Sequence, residues 1–265
     1  MTVPTTTSTT GASARWLRRP RPCHDPEVRL VCLPHAGGTA SAYLGWAARL
    51  PARVELIAVQ YPGRQDRLVE PCAQSVSEIA DALASMLAPY TDRPLYLFGH
   101  SMGGLVAYEV AVRLEAAAGP GVANGRLANS PGLAGLFISG QLAPHRSTPI
   151  AEPLDDATVE AEARAAGWSD PMVFDRPELR ELVLPALLAD VRAVLSYHRR
   201  DPVRLRCPIV AYGGSGEPGD VPAELSAWGE MTSGPAAWRC FDGDHFYLRS
   251  QEAVLITDIL SRMSN

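Results

Sequence analysis

Short apolar runs alternate with longer amphipathic segments through most of this chain, and this alternation constrains the fold more than any other feature. The apolar runs have the length of strands buried on both faces of a parallel sheet, and they span Val28–Leu33, Val54–Gln60, Leu95–Gly99, Leu133–Ser139, Pro208–Tyr212 and Ala237–Phe241. The segments with helical spacing are Ala40–Leu50, Ser75–Pro89, Met102–Ala118, Ala223–Met231 and Gln251–Arg262. Strands that alternate with helices through short connections predict an α/β fold, with a mostly parallel central sheet flanked by helices and right-handed crossovers.

Two segments interrupt the alternation. Residues 119–132 are rich in Gly, Asn and Pro without periodicity, which predicts a surface loop. Residues 144–200 contain two helical patterns, Asp155–Ala166 and Pro177–Arg199, and the second has one apolar face with Pro185 inside it, where a kink is expected. A helical insertion between two sheet strands predicts a lid over an active site, and a helical layer without a gating role is the alternative.

The chain is expected to form a single domain over residues 15–265, because α/β domains of about 250 residues often fold as one unit. Residues 1–14 are rich in Ser and Thr, cannot contribute to a core and are expected to be a disordered leader. Several arginines follow around Trp16: Arg15, Arg18, Arg19 and Arg21. This basic segment is interpreted as a solvated surface, and docking of an acidic partner is the alternative.

Charge and composition exclude several classes of function. The net charge is -5 and the pI is about 5.7, whereas a general nucleic-acid binder needs a basic surface. No run reaches the roughly 18 apolar residues of a membrane span, and the N-terminus lacks the basic start and apolar run of a secretory signal. The five cysteines are widely spaced without a CxxC pair, which predicts reduced thiols in a cytoplasmic protein rather than a disulfide framework or a zinc site.

The sharpest local motif is Gly99–His–Ser–Met–Gly103, a GxSxG pattern between an apolar strand and an amphipathic helix. In this context the pattern predicts a nucleophile, Ser101, on a sharp strand-to-helix turn where glycines avoid clashes with adjoining backbone. The turn places the Ser101 hydroxyl at a helix N-terminus, where the N–H of Met102 can donate to a substrate oxyanion. An ordinary tight turn is the alternative.

A second oxyanion donor is expected in the loop after the first apolar strand, which reads Pro34–His–Ala–Gly–Gly38. We predict that this donor is the N–H of Ala36, because the neighbouring glycines allow the backbone to approach the substrate. The loop lacks the GxGxxG and GxxxxGK patterns of phosphate-binding loops. His35 is assigned no chemical role.

A serine nucleophile needs a base, and the base needs an acid that orients it. His245 is the candidate base, since it lies in a turn between the last predicted strand and the final helix. The acid should follow the strand Pro208–Tyr212, and in the loop beyond that strand Glu217 and Asp220 compete for the role. Asp242 and Asp244 are interpreted as turn formers. The remaining polar side chains considered for these two roles are less suited by position or chemistry: His24, His100, Gln141, His145 and His198.

Together these motifs resemble those of the type II thioesterases of polyketide and nonribosomal-peptide assembly lines, within the α/β-hydrolase superfamily. The resemblance runs from about Trp16 to the last helix. It is carried by PHAGG at 34–38, YPGR at 61–64, GHSMGG at 99–104, DHFY at 244–247, and ELVLP at 181–185 followed by Asp190. The family usually has Asp before Pro in the acid loop, where this chain has Glu217. The resemblance therefore implies Glu217 as the acid, with Asp220 as second choice.

The resemblance implies hydrolysis of acyl thioesters on the phosphopantetheine arm of an acyl carrier or peptidyl carrier protein, which edits stalled or misprimed assembly lines. It implies no metal or organic cofactor and no nucleic-acid or membrane partner, and the small size of such proteins favours a monomer. The 119–132 loop is longer than the family usually shows. The rival functions are a trans-acting chain-releasing thioesterase or acyltransferase, a small-molecule carboxylesterase, and a hydrolase fold kept as a binding module.

Overall fold

The computed structural model describes residues 9–119, 132–147, 155–165, 175–199 and 201–264. Seven strands in these ranges form one sheet in the order β1-β3-β2-β4-β5-β6-β7. Neighbouring strands are parallel except for the antiparallel pair β1 and β3, which confirms the predicted mostly parallel sheet. The strands are β1 (Leu17–Arg18), β2 (Val28–Leu33), β3 (Val54–Val59), β4 (Leu95–His100), β5 (Leu133–Ser139), β6 (Ile209–Gly214) and β7 (Ala236–Phe241).

Helices flank this sheet, as the alternation predicts. They are α1 (Thr9–Trp16), α2 (Ser41–Leu44), α3 (Val76–Leu87), α4 (Met102–Ala118), α5 (Asp156–Ala165), α6 (Pro177–Leu195), α7 (Val221–Ser226), α8 (Tyr247–Ser250) and α9 (Glu252–Met263). Short 3₁₀ turns lie at Gly45–Ala48, Gln65–Arg67, Ala88–Asp92, Pro144–Arg146 and Ala227–Met231. Two helices predicted as continuous are therefore shorter, since α2 and α7 each pass into a 3₁₀ turn. None of the described helices has the length and apolar character needed to cross a membrane.

The N-terminus of α3 shows how local sequence sets a helix boundary. The hydroxyl of Ser75 accepts a hydrogen bond of 3.1 Å from the N–H of Glu78, and the Glu78 carboxylate accepts one of 2.7 Å from the N–H of Gln74. The first bond satisfies a backbone donor that the first turn of a helix leaves free, and the second ties the residue before the N-cap to that turn.

The core lies on both faces of the sheet, because successive side chains of a strand point to opposite faces. In β2, Val31 and Leu33 belong to one buried cluster with residues of α3 and α4. Leu30 and Cys32 belong to a second cluster with residues of α2 and α9. Helices therefore cover both faces, and the carboxyl edge of the strands is where polar side chains meet solvent or a ligand.

The segment before β2 differs from the prediction. A helix, α1, begins at Thr9, within the segment 1–14 that is predicted to be a disordered leader, and residues 1–8 lie outside the described residues. The end of α1 is anchored, because the carbonyl of Trp16 accepts a hydrogen bond of 2.8 Å from Gln60 N–H and the Arg67 guanidinium lies 4.4 Å from the Trp16 ring centroid. The basic segment is also paired with the fold's own carboxylates: Arg18 with Asp66, and Arg19 with Glu55.

Helices α5 and α6 lie in the segment predicted to be a lid, and residues 148–154, 166–174 and 200 of that segment lie outside the described residues. Helix α6 continues through Pro185. The two halves of α6 differ in their burial. No residue from Pro177 to Pro185 is buried, whereas most residues of the helix after Pro185 are. The second half of α6 therefore packs onto the sheet domain. Of the predicted surface loop at 119–132, only the two end residues are described.

Candidate active site

The predicted site residues follow strands that end at the same edge of the sheet. Ala36 follows β2, Ser101 follows β4, Glu217 follows β6 and His245 follows β7. These strands are parallel, and they stand next to one another in the order β2-β4-β5-β6-β7. Their carboxyl ends therefore meet at one edge, where α/β proteins bind ligands.

Ser101 adopts a strained backbone conformation, with φ 53° and ψ -123°. Such a conformation is rare for residues other than glycine and persists only when surrounding contacts hold it. Two backbone hydrogen bonds do so here, one of 2.8 Å from Ser101 N–H to the Ser139 carbonyl and one of 2.7 Å from Gly104 N–H to the Ser101 carbonyl. This is the geometry expected of a nucleophile between a strand and a helix.

The glycines of the GxSxG motif permit very close backbone packing. A β-carbon on Gly99 would lie 2.0 Å from the carbonyl oxygen of Gly103, and one on Gly103 would lie 2.1 Å from that of Leu33. The second approach places the loop that follows β2 against the first turn of α4. At both positions, therefore, a side chain larger than that of glycine would clash with backbone atoms.

Replacing Gly103 with Ala should destabilise the protein by about 3 kcal/mol or more, because backbone must move to admit the new methyl group. The matched control is Gly45→Ala, since a β-carbon on Gly45 would have no heavy atom within 4 Å. This control should change the free energy of unfolding by less than about 0.5 kcal/mol. Urea denaturation of both variants measures the difference. Equal stability of the two variants would contradict the packing described.

His245 is hydrogen-bonded to Glu217 and not to Asp220. The Nδ1 atom of His245 lies 3.0 Å from Oε2 of Glu217, while Oε1 of Glu217 accepts a hydrogen bond of 2.8 Å from Gly214 N–H. Because a neutral imidazole donates from one nitrogen and accepts at the other, this contact leaves Nε2 as the acceptor. Within the described ranges, Nε2 is buried without a hydrogen-bond partner.

Asp220 instead caps helix α7, where its Oδ1 atom accepts a hydrogen bond of 3.2 Å from Ala223 N–H. The two loops that carry Glu217 and His245 are joined by the N–H of Gly216, which donates to the carbonyl of Gly243 at 2.8 Å. Asp244 accepts a hydrogen bond of 2.8 Å from Phe246 N–H, as expected of a turn former.

His100 contributes a contact that the sequence did not indicate. Its ring centroid lies 4.9 Å from that of His245 and 5.9 Å from that of His35, and its Nδ1 atom lies 2.9 Å from the Ser139 hydroxyl. Burial, with a smaller effect of neighbouring positive charges, lowers the pKa of His100 well below its ordinary value and that of His35 to about 4. Both rings are therefore neutral near neutral pH and do not repel a protonated His245.

Two backbone donors near Ser101 are free. In the part of the chain that the structure describes, the N–H groups of Ala36 and Met102 donate to no protein acceptor. A tight turn surrounds Ala36, because Gly38 N–H donates to the His35 carbonyl at 2.9 Å and Gly37 has φ 72°. The same described ranges contain no group of three or more His, Cys, Asp or Glu side chains able to hold a metal ion.

Comparison with known proteins identifies the family of this chain. A sequence profile of the thioesterase domain matches residues 28–263. The chain belongs to the thioesterase family. This thioesterase is 39% identical over 249 residues to Thioesterase PikA5 of Streptomyces venezuelae, and the match covers 93% of this chain and 85% of that protein.

Solved structures agree with this assignment. The type II thioesterase BorB from the borrelidin biosynthetic cluster superposes with a TM-score of 0.80 at 38% identity, over 93% of this chain and 96% of BorB. YbtT, the type II thioesterase from the yersiniabactin NRPS/PKS pathway, gives a TM-score of 0.77 at 31% identity, over 93% of this chain and 97% of YbtT. The expected α/β-hydrolase fold is confirmed, and the chain is a hydrolase that acts on thioesters.

The thioesterase also has two buried charged residues near the site to which sequence reasoning assigns no role, Arg64 and Asp190. A signal for Asp190 is present in the sequence, since it is a carboxylate on the apolar face of α6, between Leu187 and Val191. A charge in such a position is stable only when it is paired and hydrogen-bonded.

Proposed function

We propose that this thioesterase hydrolyses acyl groups held on the phosphopantetheine arm of acyl carrier or peptidyl carrier proteins, and so edits polyketide or nonribosomal-peptide assembly lines. The observation that carries the proposal is the hydrogen bond of 3.0 Å between His245 and Glu217, at the sheet edge where Ser101 occupies a strained turn. The relatives BorB and YbtT, which are named as type II thioesterases of such biosynthetic pathways, support the substrate class.

In the acylation step, the Ser101 hydroxyl attacks the thioester carbonyl carbon while Nε2 of His245 takes the hydroxyl proton. The carbonyl oxygen becomes an oxyanion, and the N–H groups of Ala36 and Met102 donate to it. The carbon–sulfur bond then breaks, and the proton on His245 passes to the departing thiolate of the phosphopantetheine arm.

In the deacylation step, His245 removes a proton from a water molecule that attacks the acyl-Ser101 ester. The ester bond breaks, Ser101 recovers its proton from His245, and the free carboxylic acid leaves. Glu217 accepts a hydrogen bond from Nδ1–H throughout, which keeps the tautomer that can receive a proton at Nε2.

The proposal predicts a clear preference for carrier-bound thioesters. Thiol release is measured from an acylated carrier protein, from the same acyl group on a small thiol, and from the matching oxygen ester, with Ser101→Ala as the blank. We expect kcat/KM for the carrier-bound thioester to exceed that for the two small substrates at least about 10-fold, because binding of the carrier supplies additional transition-state stabilisation.

Equal or faster cleavage of the oxygen ester would indicate a general carboxylesterase and exclude the carrier-protein partner. Transfer of the acyl group to an added alcohol or amine in place of water would indicate an acyltransferase. We further propose that the enzyme acts as a monomer in the cytoplasm; the five cysteines, all within the described residues, are free thiols, which supports a reducing compartment.

A further inference from the structure

The loop that carries Ala36 is fixed by side chains from several other elements. The Gly37 N–H donates to Asp190 at 2.8 Å, and Arg64 donates to the Gly38 carbonyl at 3.2 Å. Three more bonds hold the loop's two ends: Tyr43 to the Leu33 carbonyl at 3.1 Å, Tyr61 to the Pro34 carbonyl at 3.3 Å, and Ala40 N–H to Gln60 at 3.0 Å. Polar groups on both sides of Ala36 are thus satisfied, while its own N–H stays free.

Asp190 differs from the other side chains in this set because it belongs to helix α6 of the lid segment. Its side chain is 1% exposed and that of Arg64 is 5% exposed. The two form a bidentate ion pair, with Nη1 to Oδ2 at 2.5 Å and Nη2 to Oδ1 at 2.9 Å. Next to this pair, Leu187 packs closely on Gly37. A β-carbon on Gly37 would lie 3.0 Å from the Cδ1 atom of Leu187. The buried half of α6 therefore packs on the loop Pro34–Gly38 that carries Ala36.

We propose that Asp190 is a positioning residue that orients the Ala36 N–H, and so couples the seating of the lid helix to the oxyanion hole. Each peptide unit is planar, so two hydrogen bonds fix the two planes that flank Ala36. The plane that contains the Ala36 N–H is held through the His35 carbonyl by Gly38 N–H, and the next plane is held through Gly37 N–H by Asp190. This inference rests on the proposed function, because it assumes that Ala36 donates to the oxyanion.

Arg64 has a distinct part in this arrangement. A carboxylate close to a developing oxyanion repels the negative charge of that oxyanion, and a buried carboxylate without a partner destabilises the fold. The guanidinium of Arg64 neutralises Asp190 through two hydrogen bonds and also holds the Gly38 carbonyl. Asp190 can thus orient the loop without placing a net charge beside the reacting oxygen.

The test separates positioning from simple stabilisation of the lid. The probe is an alkylthio trifluoromethyl ketone, whose carbonyl carbon is attacked by the serine hydroxyl while the carbonyl oxygen becomes an oxyanion and the proton passes to His245. Its partner compound has a methylene group in place of the carbonyl and forms no oxyanion. Binding of both compounds and hydrolysis of an acyl-carrier thioester are measured for the unmodified enzyme and for Asp190→Ala, because an asparagine could keep its amide oxygen toward Gly37 N–H.

We expect Asp190→Ala, which removes the acceptor for Gly37 N–H, to weaken the ketone about 10-fold to 100-fold and to lower kcat by a similar factor, somewhat less than the loss of a whole oxyanion donor. Binding of the methylene compound and KM should change less than about 2-fold, since the ground state makes little use of the oxyanion hole. The matched control is Glu115→Ala, because Glu115 is also a buried carboxylate that accepts backbone N–H bonds, from Arg206 and Cys207 at 2.9 Å. The control should leave both affinities unchanged.

Equal losses for the ketone and the methylene compound, or a ketone affinity within about 2-fold of the unmodified enzyme, would overturn the inference. If Asp190→Ala does not fold, Arg64→Lys provides a second comparison, because lysine keeps the charge but loses the two bonds that orient the Asp190 carboxylate. Ser101→Ala distinguishes a failure of this inference from a failure of the proposed function. If that variant binds the ketone as tightly as the unmodified enzyme, the proposed function itself fails, and this inference fails with it.

Discussion

Replacing Ser101 with alanine is expected to lower kcat for an acyl-carrier thioester by about 10⁵-fold or more, because the variant cannot form the acyl-enzyme. The fold should not change, since alanine takes the same backbone angles as serine and the two hydrogen bonds that hold the turn use main-chain atoms. Thiol release measures the rate, and intact-protein mass spectrometry detects the acylated serine in the unmodified enzyme only. Thermal denaturation checks that the variant is folded.

The matched control for this variant is Ser85→Ala, because Ser85 is an exposed helical serine whose hydroxyl donates to the Asp81 carbonyl, away from the sheet edge. Its activity should stay within about 2-fold of the unmodified enzyme, as expected for a surface change distant from the chemistry. Adding His245→Ala to Ser101→Ala should cause little further loss, since residues that act as one unit are non-additive. A folded Ser101→Ala variant that keeps even about 1% of the activity would remove Ser101 as nucleophile.

The parts of the fold that sequence predicts best are those specified by local periodicity. Buried strands such as Leu133–Ser139 appear at the predicted boundaries, since a parallel strand covered on both faces must be apolar throughout. The turn at Ser101 is also predictable, because glycines are needed wherever backbone approaches as closely as at Gly99 and Gly103. In both cases the signal and the structure it specifies are local.

The parts that sequence does not predict depend on contacts between distant segments. Strand β1 has two residues, which is too short for a periodic signal, and it pairs with β3 across a gap of about forty positions. The role of Asp190 requires knowing that α6 returns over the loop after β2, a contact between residues 153 positions apart. Propensity and periodicity contain no information about such pairings.

The choice of acid shows the same limit within one loop. Glu217 and Asp220 both follow β6 at plausible distances along the chain, and local spacing alone leaves both open. The choice depends on tertiary packing, because a β-carbon on Gly214 would lie 2.2 Å from the Asp244 carbonyl. That close approach sets the loop beside His245, so that Glu217 reaches the imidazole while Asp220 begins a helix.

The second large effect is expected for Glu217→Gln, which should lower kcat by about 10³-fold to 10⁴-fold by imposing the wrong imidazole tautomer. The N–H of Gly214 donates to Oε1 of Glu217, so this position must remain an oxygen in the glutamine variant. The amide nitrogen then takes the position of Oε2, 3.0 Å from Nδ1 of His245. An amide N–H donates to Nδ1, the ring proton moves to Nε2, and His245 can no longer accept the proton of Ser101.

Asp220→Asn is the matched control, because asparagine is as good a helix N-cap as aspartate. It should preserve the bond to Ala223 N–H, keep kcat within about 2-fold and change the free energy of unfolding by less than about 0.5 kcal/mol. Steady-state thiol release compares the two variants, and ¹⁵N chemical shifts of the His245 ring report the tautomer directly. If Asp220→Asn loses more activity than Glu217→Gln, the acid is Asp220, and its loop must rearrange when substrate binds. If Glu217→Gln loses activity while His245 keeps its proton on Nδ1, the loss does not arise from the tautomer, and Glu217 acts through its charge.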